Sequence, residues 1–164
     1  MYQRRYGMSE NQLVVFMLGE EEFGIGILAV KEIIRYRKTV KLPDTPDFIE
    51  GIINYRDSIV PVLDLNKRFR LGGKENGDFR RIIIVNMGET GDRQVGFLVD
   101  RVEEVLRLDT ECIEETPETV SKGMDRQYIR GVGKLGDRLI IILDIERVLS
   151  DREKADLKEI ARTG

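Results

Sequence analysis

Short runs of aliphatic residues, separated by Gly, Asp, Asn and charged positions, recur along the whole chain. The runs are rich in Ile and Val, which favour strands over helices. They predict strands over residues 12–18, 23–27, 30–36, 49–55 and 59–63, with counterparts between residues 81 and 143. Many short strands at close spacing are typical of small barrels or a sandwich rather than of parallel βαβ units. The predicted fold class is therefore all-β.

The pattern of these runs occurs twice. Residues 48–65 align without a gap to residues 128–145, at an offset of 80 positions. The identical pairs are Ile49 with Ile129, Gly51 with Gly131, Asp57 with Asp137, Leu63 with Leu143 and Asp64 with Asp144. A second block, residues 23–33, aligns in the same order to residues 95–105. We therefore predict a duplicated β unit, whose two copies superpose as two antiparallel barrels, residues 12–65 on residues 81–145.

Helices are expected only at the edges of this pattern. Two aspartates at equivalent places can each cap a short helix: Asp64 before residues 65–69, and Asp144 before residues 145–149. Further on, Ser150 and Glu153 form a capping-box pattern ahead of an amphipathic stretch, which predicts a C-terminal helix in residues 150–164. The β domain then spans residues 12–149 as two intertwined subdomains, and residues 1–11 are expected to form a flexible tail.

Composition narrows the range of functions. The 164 residues include no histidine, the usual general base and the commonest zinc ligand, and only one cysteine, Cys112, which we expect to be a partly buried apolar side chain. A net charge of −3 disfavours nucleic acid as a partner. The apolar runs are far shorter than the roughly 20 residues that cross a bilayer, and no signal-peptide core is present, so we expect a cytoplasmic protein.

Three motifs could carry chemistry, and each has a plainer interpretation. Residues 131–136 match the dinucleotide fingerprint GxGxxG, but a β-like run follows them where a helix is required, so a hairpin turn is expected. Asp64 and Asp144 could form a paired-carboxylate hydrolase site, although helix capping explains both. An acidic run lacks the spacing of a calcium loop and is interpreted as a solvated linker; it consists of Asp109, Glu111, Glu114, Glu115 and Glu118.

One charged pair, Glu32 and Arg56, lies in stretches that are otherwise rich in apolar strand residues. Long charged side chains seldom tolerate such surroundings without a partner. We predict that the two residues contact each other across neighbouring strands as a semi-buried ion pair. The alternative is that both simply face solvent on alternate strand positions.

Residues 51–65, with the sequence GIINYRDSIVPVLDL, closely resemble the signature of CheW-like domains. Shorter matches lie at residues 19–25, 95–102 and 131–149. The resemblance to the CheW family thus spans about residues 12–149. Tyr55 stands where the family usually has Leu, and Asp57 stands where it usually has Gly, a change that affects the turn of a hairpin.

This resemblance implies two five-stranded, SH3-like β-barrels related by a pseudo-twofold axis. It also implies a free-standing, non-enzymatic adaptor without cofactor that joins chemotaxis receptors, the methyl-accepting chemotaxis proteins, to the histidine kinase CheA. One face would meet the CheW-like regulatory domain of CheA, and another would meet the cytoplasmic tip of a receptor in arrays at the membrane. A small two-aspartate hydrolase and a nucleic-acid-binding β-barrel stay open as alternatives.

The resemblance also implies functional roles for individual residues. In the family, the glutamate and arginine that match Glu32 and Arg56 are important for signalling, and an apolar groove between the subdomains receives the receptor. The residues assigned to receptor binding are Val30, Ile33, Arg56, Val102 and Val105. Gly51 matches a position where substitution disturbs kinase coupling. We expect no catalytic and no metal-binding residues.

Overall fold

The computed structural model describes residues 12–71, 77–88, 91–115 and 126–163, and the side chains of the C-terminal helix as far as Glu159. The expected tail over residues 1–11 and the acidic Glu118 lie outside the described residues. The strands are β1 (Gln12–Leu18), β2 (Glu21–Gly26), β3 (Val30–Arg35), β4 (Ile49–Tyr55), β5 (Ser58–Asp64), β6 (Arg81–Met87), β7 (Arg93–Val99), β8 (Arg101–Arg107), β9 (Ile113–Glu114), β10 (Ile129–Leu135) and β11 (Arg138–Leu143). The α-helices are α1 (Leu65–Phe69) and α2 (Asp151–Thr163).

The strands form two sheets, which confirms the predicted all-β class. One sheet has six strands in the order β8-β1-β2-β11-β10-β9, and the other has five strands in the order β3-β6-β7-β5-β4. Short 3-10 helices connect some of the strands, at Ile27–Ala29, Thr110–Cys112, Arg126–Tyr128 and Ile145–Arg147. No helix in the described part of the chain is long and apolar enough to cross a membrane.

The two halves of the sequence exchange strands between the sheets, and the resulting pairing corrects the prediction of two purely antiparallel barrels. The first half gives β1 and β2 to the six-stranded sheet and β3, β4 and β5 to the five-stranded sheet. The second half does the reverse. The exchange brings together strands that run in the same direction, so each sheet contains one parallel pair: β2 with β11, and β5 with β7. The apolar pattern identifies strands but does not specify which of them pair over long sequence separations.

The duplication is nevertheless visible in the strand registers. In the hairpin of β4 and β5 the register shifts between Ile49 and Gly51, and in the hairpin of β10 and β11 it shifts between Ile129 and Gly131. The two shifts lie at positions that the 80-residue offset makes equivalent. Each is a β-bulge, in which one strand carries one extra residue. The repeat found in the sequence is therefore a repeat of backbone structure.

A shared core joins the two sheets. The largest cluster of buried apolar side chains includes Phe16 and Phe23 of the six-stranded sheet, Ile83 and Phe97 of the five-stranded sheet, and Phe69 of α1. The rings of Phe16 and Phe23 stack at 6.0 Å, and those of Phe23 and Phe69 stack at 6.2 Å. Burial of this apolar surface from both sheets is the main force that holds them together.

Each sheet also has a smaller core of its own. In the five-stranded sheet this core includes Tyr55, Val60 and Ile82. In the six-stranded sheet it includes Leu13 and Ile140, with partly buried apolar side chains packed against it. Cys112 is one of these packed side chains, as its composition-based interpretation expected.

The helix caps agree with the sequence pattern. The Asp64 carboxylate accepts hydrogen bonds from the N–H groups of Asn66 and Lys67 at the start of α1. The equivalent Asp144 accepts one from the N–H of Glu146. The segment that follows Asp144 is a 3-10 helix, Ile145–Arg147, and is shorter than the helix predicted over residues 145–149.

The C-terminal helix begins with the predicted capping box. Ser150 N–H donates to the Glu153 carboxylate, and Glu153 N–H donates to Ser150 Oγ. Glu153 is also held by the guanidinium of Arg68 in α1, at 2.9 and 3.2 Å. Arg68 in turn lies over the rings of Phe48 and Tyr128, at 4.6 and 5.1 Å. This largely buried arginine links α2 to the main body of the protein.

Candidate functional site: the two edge strands

Glu32 on β3 forms a three-residue cluster with the end of β4. The Nη2 atom of Arg56 lies 3.1 Å from Glu32 Oε1, so the predicted contact between these two residues is present. The Tyr55 hydroxyl donates a hydrogen bond of 2.5 Å to the same carboxylate oxygen and accepts one from Arg56 Nε at 3.1 Å. One hydroxyl therefore orients both members of the ion pair.

Two details of the prediction for this pair are wrong. The side chains are 38% exposed for Glu32 and 70% exposed for Arg56, so the pair is at the surface and not semi-buried. The strands concerned are not neighbours either, because β3 and β4 are the two opposite edges of the five-stranded sheet. The curvature of the sheet brings these edges together, and curvature does not follow from the apolar pattern alone.

The turn between β4 and β5 explains how Arg56 reaches Glu32. Arg56 and Asp57 have φ values of 50° and 65°, so this two-residue loop has the left-handed conformation at both positions. Such turns match the twist of a hairpin and favour Gly, Asn or Asp. Asp57 N–H is held by the Asn54 side chain at 3.1 Å, so aspartate serves here where the family usually has glycine.

Proton affinities follow from these contacts. The hydrogen bond from Tyr55, and then that from Arg56, lowers the pKa of Glu32 below its ordinary value. The bond to the Glu32 carboxylate raises the pKa of the Tyr55 hydroxyl. The same carboxylate, followed by Tyr55, raises the pKa of Arg56. Glu32 is thus held as a carboxylate, and the cluster presents an ion pair to solvent.

Gly51 lies in a strand position that excludes any side chain. Its φ of 148° is rare for residues other than glycine, and a Cβ atom there would lie 2.5 Å from the carbonyl oxygen of Val40. The segment before β4 is bound against it: Val40 and Ile52 exchange two backbone hydrogen bonds of 2.9 Å. The Thr39 hydroxyl donates to the carbonyl of Glu50 at 3.0 Å. A substitution at Gly51 would displace this segment, in which Val40 is 65% exposed.

The four residues assigned to the groove lie on the two edge strands, β3 and β8. The register pairs Val30 with Val85 and Ile33 with Ile83, across a bulge that places both aliphatic side chains on the side of the shared core. By the equivalent bulge, Val102 pairs with Phe16 and Val105 pairs with Val14. This pattern explains why both pairs are spaced by three residues instead of two.

The four side chains differ in exposure. Val30, Ile33 and Val102 are partly buried and pack against the shared core. Val105 is 53% exposed. All four belong to edge strands, each of which pairs with a strand of its own sheet along one edge only.

The GxGxxG sequence, the two aspartates and the described part of the acidic run have the structural roles expected of them. Gly131 and Gly133 lie within β10, and Gly136 forms the turn to β11 with a φ of 60°, so the GxGxxG sequence is a hairpin. Asp64 and Asp144 act as helix caps, and burial raises the pKa of Asp64. In the described part of the acidic run, Glu114 belongs to β9 and forms an ion pair with Lys134 at 3.0 Å. Among the described residues, no group of acidic or cysteine side chains could hold a metal ion.

Two charged networks were missed at the sequence level. Asp100 is buried between the halves, where its carboxylate accepts hydrogen bonds from Gly19 N–H at 2.6 Å and from the Asn66 amide at 2.8 Å. Arg138 bridges the carboxylates of Glu22 and Glu104, at 2.7 and 2.8 Å. The alignment of Glu32 with Glu104 could have indicated the second network, because it places an equivalent glutamate on the other edge strand.

Known proteins share this architecture. Residues 12–153 match the model of the CheW-like domain. Chemotaxis protein CheW of Klebsiella aerogenes is 39% identical over 93% of this chain and 89% of its own length. Chemotaxis protein CheW of Treponema pallidum is 34% identical over 98% of this chain and 96% of its own length. The crystal structure of the scaffolding protein TtCheW from Thermoanaerobacter tengcongensis has a TM-score of 0.78 and 38% identity, covering 86% of this chain and 88% of that one.

These likenesses extend over nearly the whole described β domain and include a protein of the same fold. They agree with the signature at residues 51–65, with the duplicated hairpins and with the two sheets. The chain therefore belongs to the CheW family, whose members are chemotaxis scaffold and adaptor proteins rather than enzymes.

Proposed function

We propose that this chain couples chemotaxis receptors to the histidine kinase CheA, in the cytoplasm and within receptor arrays at the membrane. The observation that carries the proposal is the match of residues 12–153 to the CheW-like domain, together with relatives named chemotaxis protein CheW and a neighbour named scaffolding protein. The chain acts by binding two partners at once, and no step of its function requires a cofactor.

The receptor-binding surface in this proposal is the apolar side of the edge strands. Val30 and Ile33 of β3, with Val102 and Val105 of β8, offer aliphatic contacts from both sheets. A receptor helix with an apolar stripe would pack on them by helix-in-groove recognition. Arg56, which is 70% exposed, would add a polar contact. Four aliphatic residues give a modest affinity, which an array strengthens because anchored receptors raise the effective concentration.

For kinase coupling we propose a role of Gly51 through its surroundings. The close approach of Val40 and Thr39 to Gly51 supports an indirect effect, because a side chain at residue 51 would move that segment. The CheW-like regulatory domain of CheA is the proposed partner of the displaced surface. A substitution there would then weaken kinase control without removing any side chain that contacts the kinase.

Co-purification with the cognate CheA and with a cytoplasmic fragment of the cognate receptor tests the proposal. We expect both proteins to bind the wild-type chain. In the variant Val105→Asp, an unpaired charge would face the apolar helix, so receptor binding should fall several-fold or more while kinase binding survives. Val105 is a better choice than Val102, since Val102 packs partly against the core and its replacement endangers folding.

The matched control is Leu139→Asp, which places the same charge at an equally exposed aliphatic position on β11. This variant should bind the receptor as the wild type does. Unchanged receptor binding in folded Val105→Asp would exclude this groove as the site and leave the adaptor role intact. Failure of the wild-type chain to bind either the kinase or the receptor would overturn the proposed function itself.

A further inference from the structure

A group of arginines lies at the end of β3 and the beginning of β6. The strand register places Arg35 directly opposite Arg81. Arg37 follows two residues after Arg35, and Arg101 of β8 lies over the ring of Phe79 at 5.0 Å. These five residues, Arg35, Arg37, Arg81, Arg101 and Phe79, are called the arginine patch below. Like charges directly opposite each other destabilise a sheet, so Arg35 and Arg81 would gain from a partner of opposite charge.

The described residues neutralise only part of the patch. Arg101 has an ion-pair partner in Glu103, at 3.5 Å. Arg81 donates to the backbone carbonyls of Asp78 and Arg80. Arg35 and Arg37 are exposed and form no ion pair within residues 12–71, 77–88, 91–115 and 126–159. Although the whole chain has a net charge of −3, this local excess of positive charge would attract an acidic partner.

The patch is continuous with the proposed receptor groove. Alternate residues of a strand face the same side, so Arg35 lies on the same side of β3 as Ile33. Arg101 directly precedes Val102 on β8, so its side chain lies on the opposite side of that strand and reaches the patch through its contact with Phe79. The contact between Arg101 and Phe79 joins the start of β8 to the segment that leads into β6, the strand paired with β3. On β3 and β6 the aliphatic side chains of Ile33 and Ile83 and the cationic side chains of Arg35 and Arg81 thus lie on one side, with the charge at one end.

The aromatic rings near this surface indicate which kind of acid it fits. Phe79 is 59% exposed, but the Arg101 guanidinium covers one face of its ring. Tyr36 is covered in the same way by Arg80, at 3.8 Å. Single-stranded nucleic acid binds by stacking bases on free aromatic faces, which these guanidinium groups obstruct. A guanidinium stacked on a ring can still bind a carboxylate through its N–H edge, as Arg101 does with Glu103.

We propose that the helix received by the groove carries Asp or Glu side chains beside one end of its apolar stripe, and that the arginine patch pairs with them. This inference rests on the proposed receptor-binding function and specifies the chemistry of the partner. Charge at only one end of the groove gives the bound helix a direction. It also raises the rate of encounter, since complementary charge acts more on association and specificity than on the final affinity.

The test is binding of the full chain to the cytoplasmic receptor fragment at NaCl concentrations from low to high. Wild-type affinity should fall as salt rises, since exposed charge pairs are screened. The double variant Arg35→Glu/Arg37→Glu should bind at least tenfold more weakly at low salt and should lose most of the salt dependence. The neutral variant Arg35→Gln/Arg37→Gln should lie between the two, and it replaces the first variant if circular dichroism shows misfolding.

The matched control is Arg152→Glu/Lys158→Glu, which makes the same change in net charge at exposed positions of α2. Its affinity and salt dependence should equal those of the wild type. Equal behaviour of the patch variant and this control would overturn the inference, while wild-type binding would still support the adaptor function. A patch variant that keeps receptor binding but loses binding to a single-stranded oligonucleotide would also overturn it, in favour of nucleic acid. A wild-type chain that does not bind the receptor fragment would refute the proposed function and this inference with it.

Discussion

The two repeats place a glutamate at the same position of each edge strand but give it different partners. Glu32 of β3 is bound by Arg56 and by the Tyr55 hydroxyl. Glu104 of β8 is bound by Arg138, which also holds Glu22 of β2. The Arg56 side chain lies in a turn and is 70% exposed, whereas Arg138 begins a strand and is 37% exposed.

This difference separates a framework contact from an accessible one. Arg138 connects three strands of the six-stranded sheet, and its two carboxylate partners raise its pKa. Arg56 connects one glutamate to one hairpin, and most of its surface remains open to a partner. The equivalent glutamates therefore have different surroundings: the contact of Glu104 joins three strands, and the contact of Glu32 lies at an exposed arginine that we propose serves recognition. The predictions below compare corresponding features of the two repeats.

The largest effect is expected at the equivalent glycines Gly51 and Gly131. Gly51→Ala should destabilise the protein by about 2 to 6 kcal/mol, because a strained φ and overpacking each cost about 1 to 3 kcal/mol. In Gly131→Ala only the overpacking applies, since no positive φ occurs there and the Cβ would lie 2.9 Å from the carbonyl of Glu114. Its loss should be about 1 to 3 kcal/mol. Urea unfolding of both variants measures the two free energies.

Gly26→Ala is the control for this pair, because a Cβ atom at Gly26 meets nothing within 4 Å. It should be nearly neutral. A Gly131→Ala variant that is less stable than Gly51→Ala would contradict the special role of the backbone at residue 51.

A smaller effect should distinguish the two arginines. Arg138→Met removes the cation between Glu22 and Glu104 and leaves two carboxylates close together. We expect a loss of about 1 kcal/mol in unfolding free energy, since exposed ion pairs contribute about 0 to 1 kcal/mol and a network somewhat more. Arg56→Met should leave stability unchanged and should weaken binding to the receptor fragment.

Salt provides the control for these variants. In 1 M NaCl the stability difference between the wild type and Arg138→Met should shrink, because the interaction is partly exposed and screened. Equal stability losses in both variants, or a larger loss in Arg56→Met, would show that the two glutamate contacts are not divided between cohesion and recognition.

The fold could be predicted from the sequence as far as its strands and its duplication. The expected strands over residues 12–18 and 49–55 agree with β1 and β4, because aliphatic runs bounded by turn residues specify a strand locally. The particular strand pairing could not be predicted, because it joins strands over a long sequence separation, as in the parallel contact of Phe23 with Ile141.

The site was predictable only where chemistry required a partner. The sequence predicts a contact between Glu32 and Arg56, because a long charged side chain among apolar strand residues requires a partner of opposite charge. Their exposure and their position on opposite sheet edges depend on sheet curvature, which no local pattern encodes. Tyr55 was noticed only as a departure from the usual leucine, and the hydroxyl that this departure adds proves to bind both charged residues.

The smallest effect concerns the Tyr55 hydroxyl, since the 80-residue offset places Leu135 at the equivalent position of the second repeat. Tyr55→Phe keeps the buried ring and removes the first cause of the lowered pKa of Glu32, so this pKa should rise towards its ordinary value of 4.5. A carboxyl whose folded pKa is depressed stabilises the protein above its unfolded pKa, and this stabilisation disappears as the pH falls through the folded pKa. The stability difference between wild type and Tyr55→Phe should therefore be present at pH 7 and vanish in acid.

Carboxyl-resolved NMR titration gives the pKa of Glu32 directly, and urea unfolding at pH 7 and below the folded pKa gives the stability difference. Tyr128→Phe is the matched control, because the Tyr128 ring packs on Phe69 and Arg68 and not on Glu32. It should leave the pKa of Glu32 unchanged. If Tyr55→Phe also leaves that pKa unchanged, the Arg56 guanidinium alone holds the glutamate, and the two edge strands differ only in which arginine reaches them.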